Sequence, residues 1–377
     1  MRLDKLNRLE DYNHSFSYPK WLTRIHIDWP LLLGILVLIC ISLIVVYSAR
    51  QQSAFVLQKQ LIRSCVAILL MLAIAQIPPN FWKKVAYPIY GVALVLLLAV
   101  LVGGKISKGA QRWLDLGLFR FQPSELMKLA MPLMLAFFFE NRSLPPTWKN
   151  IVQGLFWIIL PVLLIAKQPD LGTAILIAAS GVITIYFTGM SWKKIFGLLA
   201  LVACLLPLLW FVMHEYQRER ILTLVDPERD KLGSGYHIIQ SKIAIGSGGI
   251  SGKGWKQGTQ AYLEYLPESS TDFVFAVFAE EFGLVGCIFL LLTYTLVILR
   301  GLYISVQAQD VFRRLLAGTL SMMTFVYLFV NMGMVMGILP VVGVPLPLVS
   351  YGGTSLVTLM INFGILMSIH THRRLLA

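Results

Sequence analysis

From Trp29 onward, long apolar stretches alternate with short polar ones. Ten windows are long or apolar enough to predict membrane-crossing helices: Trp29 to Ser48, Leu61 to Ile77, Val85 to Val102, Leu126 to Phe139, Ile151 to Ala166, Leu171 to Thr188, Ile195 to Met213, Phe273 to Leu299, Leu315 to Ile338 and Leu348 to Ile369. A span needs about 20 mostly apolar residues, so the fourth and fifth windows fall short of that length. Two connections are long, Gly103 to Gln122 and His214 to Thr271, and loops of that size in a compact chain tend to carry function. There is no internal repeat of helical pairs, no heptad pattern and no low-complexity segment. The expected fold is therefore an all-α polytopic membrane protein of about ten helices, with a large extracytoplasmic loop between helices seven and eight.

Composition supports that class. Of 377 residues, 57% are hydrophobic and 14% charged, and the mean hydropathy of +0.73 excludes an ordinary soluble domain. The net charge of +13 comes largely from basic residues at the ends of apolar segments, a pattern that records membrane orientation and not nucleic-acid binding. Lys83, Lys84, Arg142, Lys149, Lys193, Lys194, Arg300, Arg313 and Arg314 fall on the side of both termini; the short connections opposite hold Arg50, Lys59, Lys105, Lys108, Arg112, Arg120 and Lys167. Counting the charged termini as well, the positive side is cytoplasmic and both ends lie inside. One membrane domain, 1–377, is expected, with a cytoplasmic segment 1–28, an extracytoplasmic loop 214–271 and a cytoplasmic tail 370–377. The first apolar run follows a charged leader without a small-residue cleavage site and reads as a retained span. Cys40, Cys65, Cys204 and Cys287 sit singly inside apolar runs, as small core residues and not as a disulfide or zinc framework.

Asp272, where the long loop runs into an apolar helix, is the strongest chemical signal. It could be a helix cap shared with Thr271, favoured by the helix dipole. Against that, ionisable groups at membrane depth usually mark functional sites. Glu280 and Glu281 follow in the same helix; at about 100° per residue, Glu280 lies roughly 80° round from Asp272 and Glu281 roughly opposite, so the three cannot share one pocket. Asp272 is read as reactive and the glutamates as structural, one bonded across to a neighbouring helix. On the same side lie Arg112, Lys128, Arg63 and the turn Gln168 to Thr173, although Lys128 could equally snorkel or pair with Glu125.

The glycine-rich run Gly246 to Gly254 is not a nucleotide loop. It lacks a glycine five positions before Gly252, and Gly254 replaces the Ser or Thr that would bind magnesium. It reads either as a tight-turning flexible loop or as backbone N–H groups approaching an anionic substrate. Pro340, Pro345 and Pro347, followed by Ser350 to Gly353, predict either a re-entrant segment or a tight interhelical turn. One outward carboxylate with nearby cations suits glycosyl transfer from a lipid pyrophosphate, because the leaving group departs as an anion and only the attacking hydroxyl needs a base. A glycosidase would need a second carboxylate. The absence of Asp-x-Asp argues against a metal-bound nucleotide-sugar donor.

The set GAQRWL, FQPSELMKL, QPDLGTA, GYHIIQSKIAIGSGGISGKGWKQGTQ, LPESSTDFVFAVFAEEFG and NMGMVMGILPVVGVPLPLVSYGGTS resembles the SEDS family (shape, elongation, division and sporulation) from the first span to the C terminus. The Ile338–Pro347 segment is more similar to the elongation branch than to the septal one. Thr354 stands where Ser is more usual and keeps the hydroxyl. The resemblance implies a peptidoglycan glycosyltransferase of the bacterial cytoplasmic membrane that polymerises lipid II at the outer face, for cell-wall elongation and rod shape. Asp272 matches the family's essential aspartate and would deprotonate the GlcNAc 4-hydroxyl of acceptor lipid II. That hydroxyl would attack, with inversion, the anomeric carbon of the growing undecaprenyl-pyrophosphate-linked strand. Arg112, Lys128 and Arg63 are the candidates for the pyrophosphates; Gln122, Ser124, Glu125, Asp170, Lys253, Gln260 and Ser350 are further substrate-contact candidates.

The implied partner is a class B penicillin-binding protein, a transpeptidase, meeting spans eight and nine within the elongation machinery. No ligand cluster in the sequence demonstrates a metal, and a divalent cation, Mg or Mn, on the pyrophosphate is the one cofactor considered. Two other readings stay open: a lipid II flippase, which would need ionisable groups through both leaflets, and a non-catalytic scaffold for the transpeptidase, with Asp272 a helix cap.

Overall fold

The computed structural model describes residues 26–50, 53–107, 110–115, 120–213, 215–230, 233–263, 265–266 and 268–372. The charged leader 1–25, Gly109, His214 and the end of the tail, 373–377, lie outside the described residues. Each expected span is a helix: α1 (Trp29–Ala49), α2 (Ala54–Ala75), α3 (Pro79–Gly103), α4 (Pro123–Glu140), α5 (Trp148–Lys167), α6 (Leu171–Phe187), α7 (Trp192–Val212), then α10 (Val274–Val306), α11 (Val311–Val335) and α12 (Thr354–Thr371). The protein is a multi-pass membrane protein. The short fourth and fifth windows extend into helices of 18 and 20 residues, because Pro123 opens α4 and Thr147 caps α5 through the Asn150 amide, outside the apolar stretches; of the two, α5 is long and apolar enough to cross a membrane. The last helix starts at Thr354 and not at Leu348, since Pro345 and Pro347 hold the intervening chain out of helical geometry.

Helix α4 explains how charge is tolerated. It carries Glu125, Lys128 and Glu140, yet nearly every residue from Pro123 to Phe139 is buried, because α3, α6, α11 and α12 all pack against it. A charged helix is stable in a bilayer only when its polar groups face protein partners.

Both long connections are structured. Residues 103–122, expected as loop, hold a small antiparallel sheet, β1 (Lys105–Ser107), β2 (Ala110–Asp115) and β3 (Arg120–Phe121), in that order. The longer one contains α8 (Glu215–Val225), a 3₁₀ turn Pro227–Asp230, α9 (Ser234–Gly248) and a single turn Thr259–Tyr262. Helix α9 packs on α10 and is tied to α11 where the Ser241 hydroxyl donates to the Val335 carbonyl at 2.7 Å.

The 33 residues of α10 are broken at Gly283, whose φ of 62° is left-handed. The glycine-rich run fills the break. Lys253 N–H donates to the Glu280 carbonyl and Gly254 N–H to that of Glu281, both at 3.0 Å; Leu284 and Val285 donate back to the carbonyls of Gly249 (3.0 Å) and Ile250 (3.1 Å). A Cβ on Gly283 would lie 2.3 Å from the Gly252 nitrogen, so both positions need glycine for the backbones to touch. The run does turn tightly, through left-handed Gly249, Gly252 and Gly254, but the N–H groups of Lys253 and Gly254 are spent on helix carbonyls. Leu284–Val306 is long enough to cross by itself, while Val274 to Glu281 is wholly buried in protein.

At the opposite end of the bundle, Asp28 caps α1 by accepting from Leu31 N–H at 2.9 Å, and also accepts from Arg300 of α10 (2.8 Å) and His370 of α12 (2.7 Å). The His26 and His372 rings stack 3.6 Å apart, so the two described chain ends meet there. Burial pushes the Asp28 pKa up, but the hydrogen bonds from His370 and Arg300 outweigh it and hold the carboxyl well below the usual carboxylate range. A lowered native pKa means stabilisation that is present above the unfolded value, about 4, and lost as pH falls through the native one. Asp28→Asn, which keeps the volume and removes the charge, is expected to cost about 2–3 kcal/mol. A thermal melt in detergent at pH 7 checks this; an unchanged midpoint would mean the three-helix clamp adds nothing.

Candidate active site

The carboxylate of Asp272 stands on a turn, not on a helix. The N-cap of α10 is Phe273, which has no side-chain cap bond, and Thr271 donates to the Glu268 side chain at 2.7 Å, within the preceding turn. What fixes Asp272 is a set of three consecutive carbonyls, each taken by a donor from elsewhere. Ser270 C=O accepts from Tyr351 N–H (2.8 Å), Thr271 C=O from the Ser350 hydroxyl (2.5 Å) and Asp272 C=O from the Asn331 side-chain amide (2.8 Å). Two of these donors belong to the strap 337–353 between α11 and α12.

That strap folds back among the helices. Val344, Leu346, Leu348 and Val349 are buried; Val349 C=O accepts from Ser42 of α1 at 2.7 Å and Pro347 C=O from the Tyr294 hydroxyl of α10 at 2.5 Å. Irregular backbone at this depth is stable because it is enclosed by protein. Gly343, with φ of 72°, turns the strap beside the Asp272 carboxylate, and a Cβ there would sit 3.4 Å from Oδ2. Gly172 at the start of α6 lets the same strap approach, since a Cβ would meet the Val342 carbonyl at 2.6 Å.

The remaining candidates fall into four groups. Arg112 of β2 pairs with Asp170 at 3.6 Å and donates to the Pro169 carbonyl, Gln122 donates to the second oxygen of Asp170 at 3.2 Å, and Asp170 caps α6 through Thr173 N–H at 3.3 Å. Lys128 pairs with Glu125 at 2.7 Å, both side chains less than a tenth exposed, and its ammonium lies 5.5 Å from the Tyr327 ring of α11. The Ser124 hydroxyl and the second oxygen of Glu125 are buried without a hydrogen-bond partner among the described residues. Arg63 stacks on the Tyr351 ring at 4.9 Å; Arg50 approaches the same ring at 6.0 Å and donates to the Ser270 hydroxyl at 2.8 Å. A cavity of about 470 Å³ between α2, α4 and α12 joins two of the groups: Arg63, Phe121, Glu125 and Thr354 line it toward the loop end, and Val66, Leu129, Val357 and Ile361 line it deeper.

Lys253 and Gln260 belong elsewhere. Glu280 is fully buried and accepts from Lys253 Nζ at 2.6 Å, from Thr259 N–H at 2.9 Å and from Gln260 N–H at 3.2 Å, so these residues close the long loop onto α10. Glu281 accepts from the Ser48 hydroxyl of α1 and from Lys256 N–H at 3.2 Å. Ser350, expected to contact substrate, spends its hydroxyl on the turn that carries Asp272. Asn331, Tyr327 and Tyr351 were missed as site residues; an asparagine inside an otherwise apolar span was the one signal that could have found the first.

The sequence profile of the FtsW/RodA/SpoVE cell cycle proteins matches residues 20–375. The chain belongs to this family. Within FtsW/RodA/SpoVE, it is 54% identical over 355 residues to the peptidoglycan glycosyltransferase MrdB of Escherichia coli K12, covering 94% of this chain and 96% of that one. It is 34% identical over 361 residues to a probable peptidoglycan glycosyltransferase FtsW of Geobacter metallireducens, covering 92% and 95%. Among solved structures of FtsW/RodA/SpoVE type, the crystal structure of the rod shape determining protein RodA of Thermus thermophilus superposes with a TM-score of 0.69 at 28% identity, covering 93% of this chain and 98% of that one. A chain of a peptidoglycan synthase complex, described as coordinating polymerization and crosslinking, superposes with a TM-score of 0.79 at 32% identity, covering 92% and 99%.

Proposed function

We propose that this chain is a peptidoglycan glycosyltransferase that polymerises lipid II at the outer face of the bacterial cytoplasmic membrane, for cell-wall elongation. The observation that carries the reading is a single carboxylate, Asp272, held by three main-chain clamps at the loop end of the bundle, where the cations Arg112, Lys128, Arg63 and Arg50 also lie. The relatives' names and the family supply the reaction class.

In this reading Asp272 takes the proton of the acceptor's GlcNAc 4-hydroxyl as its oxygen bonds to the donor's anomeric carbon. The anomeric C–O bond to the pyrophosphate breaks with inversion, and undecaprenyl pyrophosphate leaves as an anion. The cavity between α2, α4 and α12 suits a lipid-linked pyrophosphate, with Arg63 near its polar mouth and apolar walls along an isoprenoid chain. The reading keeps a divalent cation, Mg or Mn, as an aid to the departing pyrophosphate; among the described residues no three His, Cys, Asp or Glu side chains converge as metal ligands. The loop end faces outward by the distribution of Lys and Arg, with both termini cytoplasmic. A class B penicillin-binding protein is the partner expected on α10 and α11. Buried charge gathers at the two ends, Asp28 at one and Glu125, Lys128, Asp170, Glu280 and Glu281 at the other, which fits chemistry at one face better than passage through both leaflets.

The direct test is to purify the full chain with its transpeptidase partner, supply lipid II and separate the products by size. Glycan strands are expected. A folded complex that makes none, or that only moves lipid II across a vesicle membrane, would overturn the reading.

A further inference from the structure

We propose that Asn331 is the positioning residue of Asp272, an inference that rests on Asp272 being the base. Asn331 lies within α11, about one turn from its end, and is completely buried. A lone asparagine amide in such a place is costly unless its hydrogens find acceptors. Both hydrogens do. Its Nδ2 donates to the Asp272 carbonyl at 2.8 Å and to the Val344 carbonyl at 2.7 Å. One rigid amide therefore bridges the base-bearing turn and the strap, and sets the distance between them.

The other two clamps on this turn cannot replace it. The Ser350 hydroxyl and Tyr351 N–H hold the turn to the far end of the strap, seven or more residues from Gly343, and do not fix the strap at Val344. Ser42 and Tyr294 anchor the strap at Val349 and Pro347; beside Gly343 it is Asn331 that refers both turn and strap to a membrane-spanning helix. That matters for the carboxylate because Gly343, next to Val344, is the strap residue beside Asp272 Oδ2. Losing the bridge lets the strap and the carboxylate part, and a displacement of the order of 1 Å at a reacting group costs about 10²-fold in rate. Substrate contacts are not touched by the change. The signature is a fall in kcat without a fall in affinity.

The test uses the full chain with its transpeptidase partner in nanodiscs, measuring strand synthesis from lipid II, lipid II binding and thermal stability. Asn331→Ala is expected to lower kcat about 10- to 100-fold with the Kd for lipid II unchanged. Asn331→Ser, with one short donor, should fall between Asn and Ala. In an Asp272→Ala background, Asn331→Ala should cause no further loss, because the two residues act through one group. If Asn331→Ala does not fold, Asn331→Asp keeps the shape while removing both N–H donors, and its kcat must fall in the same way. Parent-like kcat in a folded Asn331 variant, an equal change in Kd, or losses that multiply with Asp272→Ala would each overturn the inference. Strand synthesis that survives Asp272→Ala would instead remove the reading beneath it. Loss in Asp272→Ala with full activity in Asn331→Ala would sink the positioning role alone.

Discussion

Asp272→Asn is expected to lower the rate of glycan-strand synthesis by about 10²- to 10⁴-fold, the usual contribution of a positioned general base. The amide has the shape of the carboxylate but cannot accept the acceptor's proton. The fold should survive, because the bonds that fix this turn run to the main-chain carbonyls of Ser270, Thr271 and Asp272, which the substitution leaves in place. Lipid II should bind as before. The measurement is an initial rate from lipid II at equal folded yield, with binding and melting temperature followed in parallel. Undiminished polymer from Asp272→Asn would take this residue out of the chemistry altogether.

The second large effect falls on stability and activity together. Lys128 and Glu125 are a buried pair inside α4, 2.7 Å apart. Lys128→Met leaves the Glu125 carboxylate buried without its cation, which costs about 3–5 kcal/mol. Glu125→Gln/Lys128→Met removes both charges and should recover most of the loss, since replacing a buried pair as a unit is often neutral. Melting temperatures of the parent, both single variants and the double variant test this as a thermodynamic cycle. Activity separates structure from function. If Lys128 also answers the leaving pyrophosphate, the refolded double variant stays slow. A double variant that is both stable and fast would reduce Lys128 to a counter-ion.

Where hydrophobic length decides, the sequence was easy to read. Every expected window became a helix, and errors arose at the ends, where Pro, Ser or Thr and charged residues extend a helix beyond its apolar stretch, as with Pro79, Pro123 and Thr147. The pairing of Lys128 with Glu125 was visible as i,i+3 spacing. The partner of Lys253 and Gln260 was hidden for a reason of distance. Their partner Glu280 follows them in the chain but reaches them only because α10 breaks at Gly283, and no periodicity announces a break that a second segment fills. Asn331 was hidden in the same way: its acceptors are carbonyls of Asp272 and Val344, and main-chain acceptors have no residue type to be recognised by.

The break in α10 also bears on how the protein is made. Until the run from Gly249 to Gly254 lies against Gly283, the carbonyls of Glu280 and Glu281 and the amides of Leu284 and Val285 lack the partners that they have in the finished protein. The run is synthesised before the helix that it completes. In the proposed orientation it must be exported ahead of that helix, wait outside, and receive it. Membrane insertion of this one span is thus the final step in folding the segment before it, and a block in translocating that segment would strand the helix half-made.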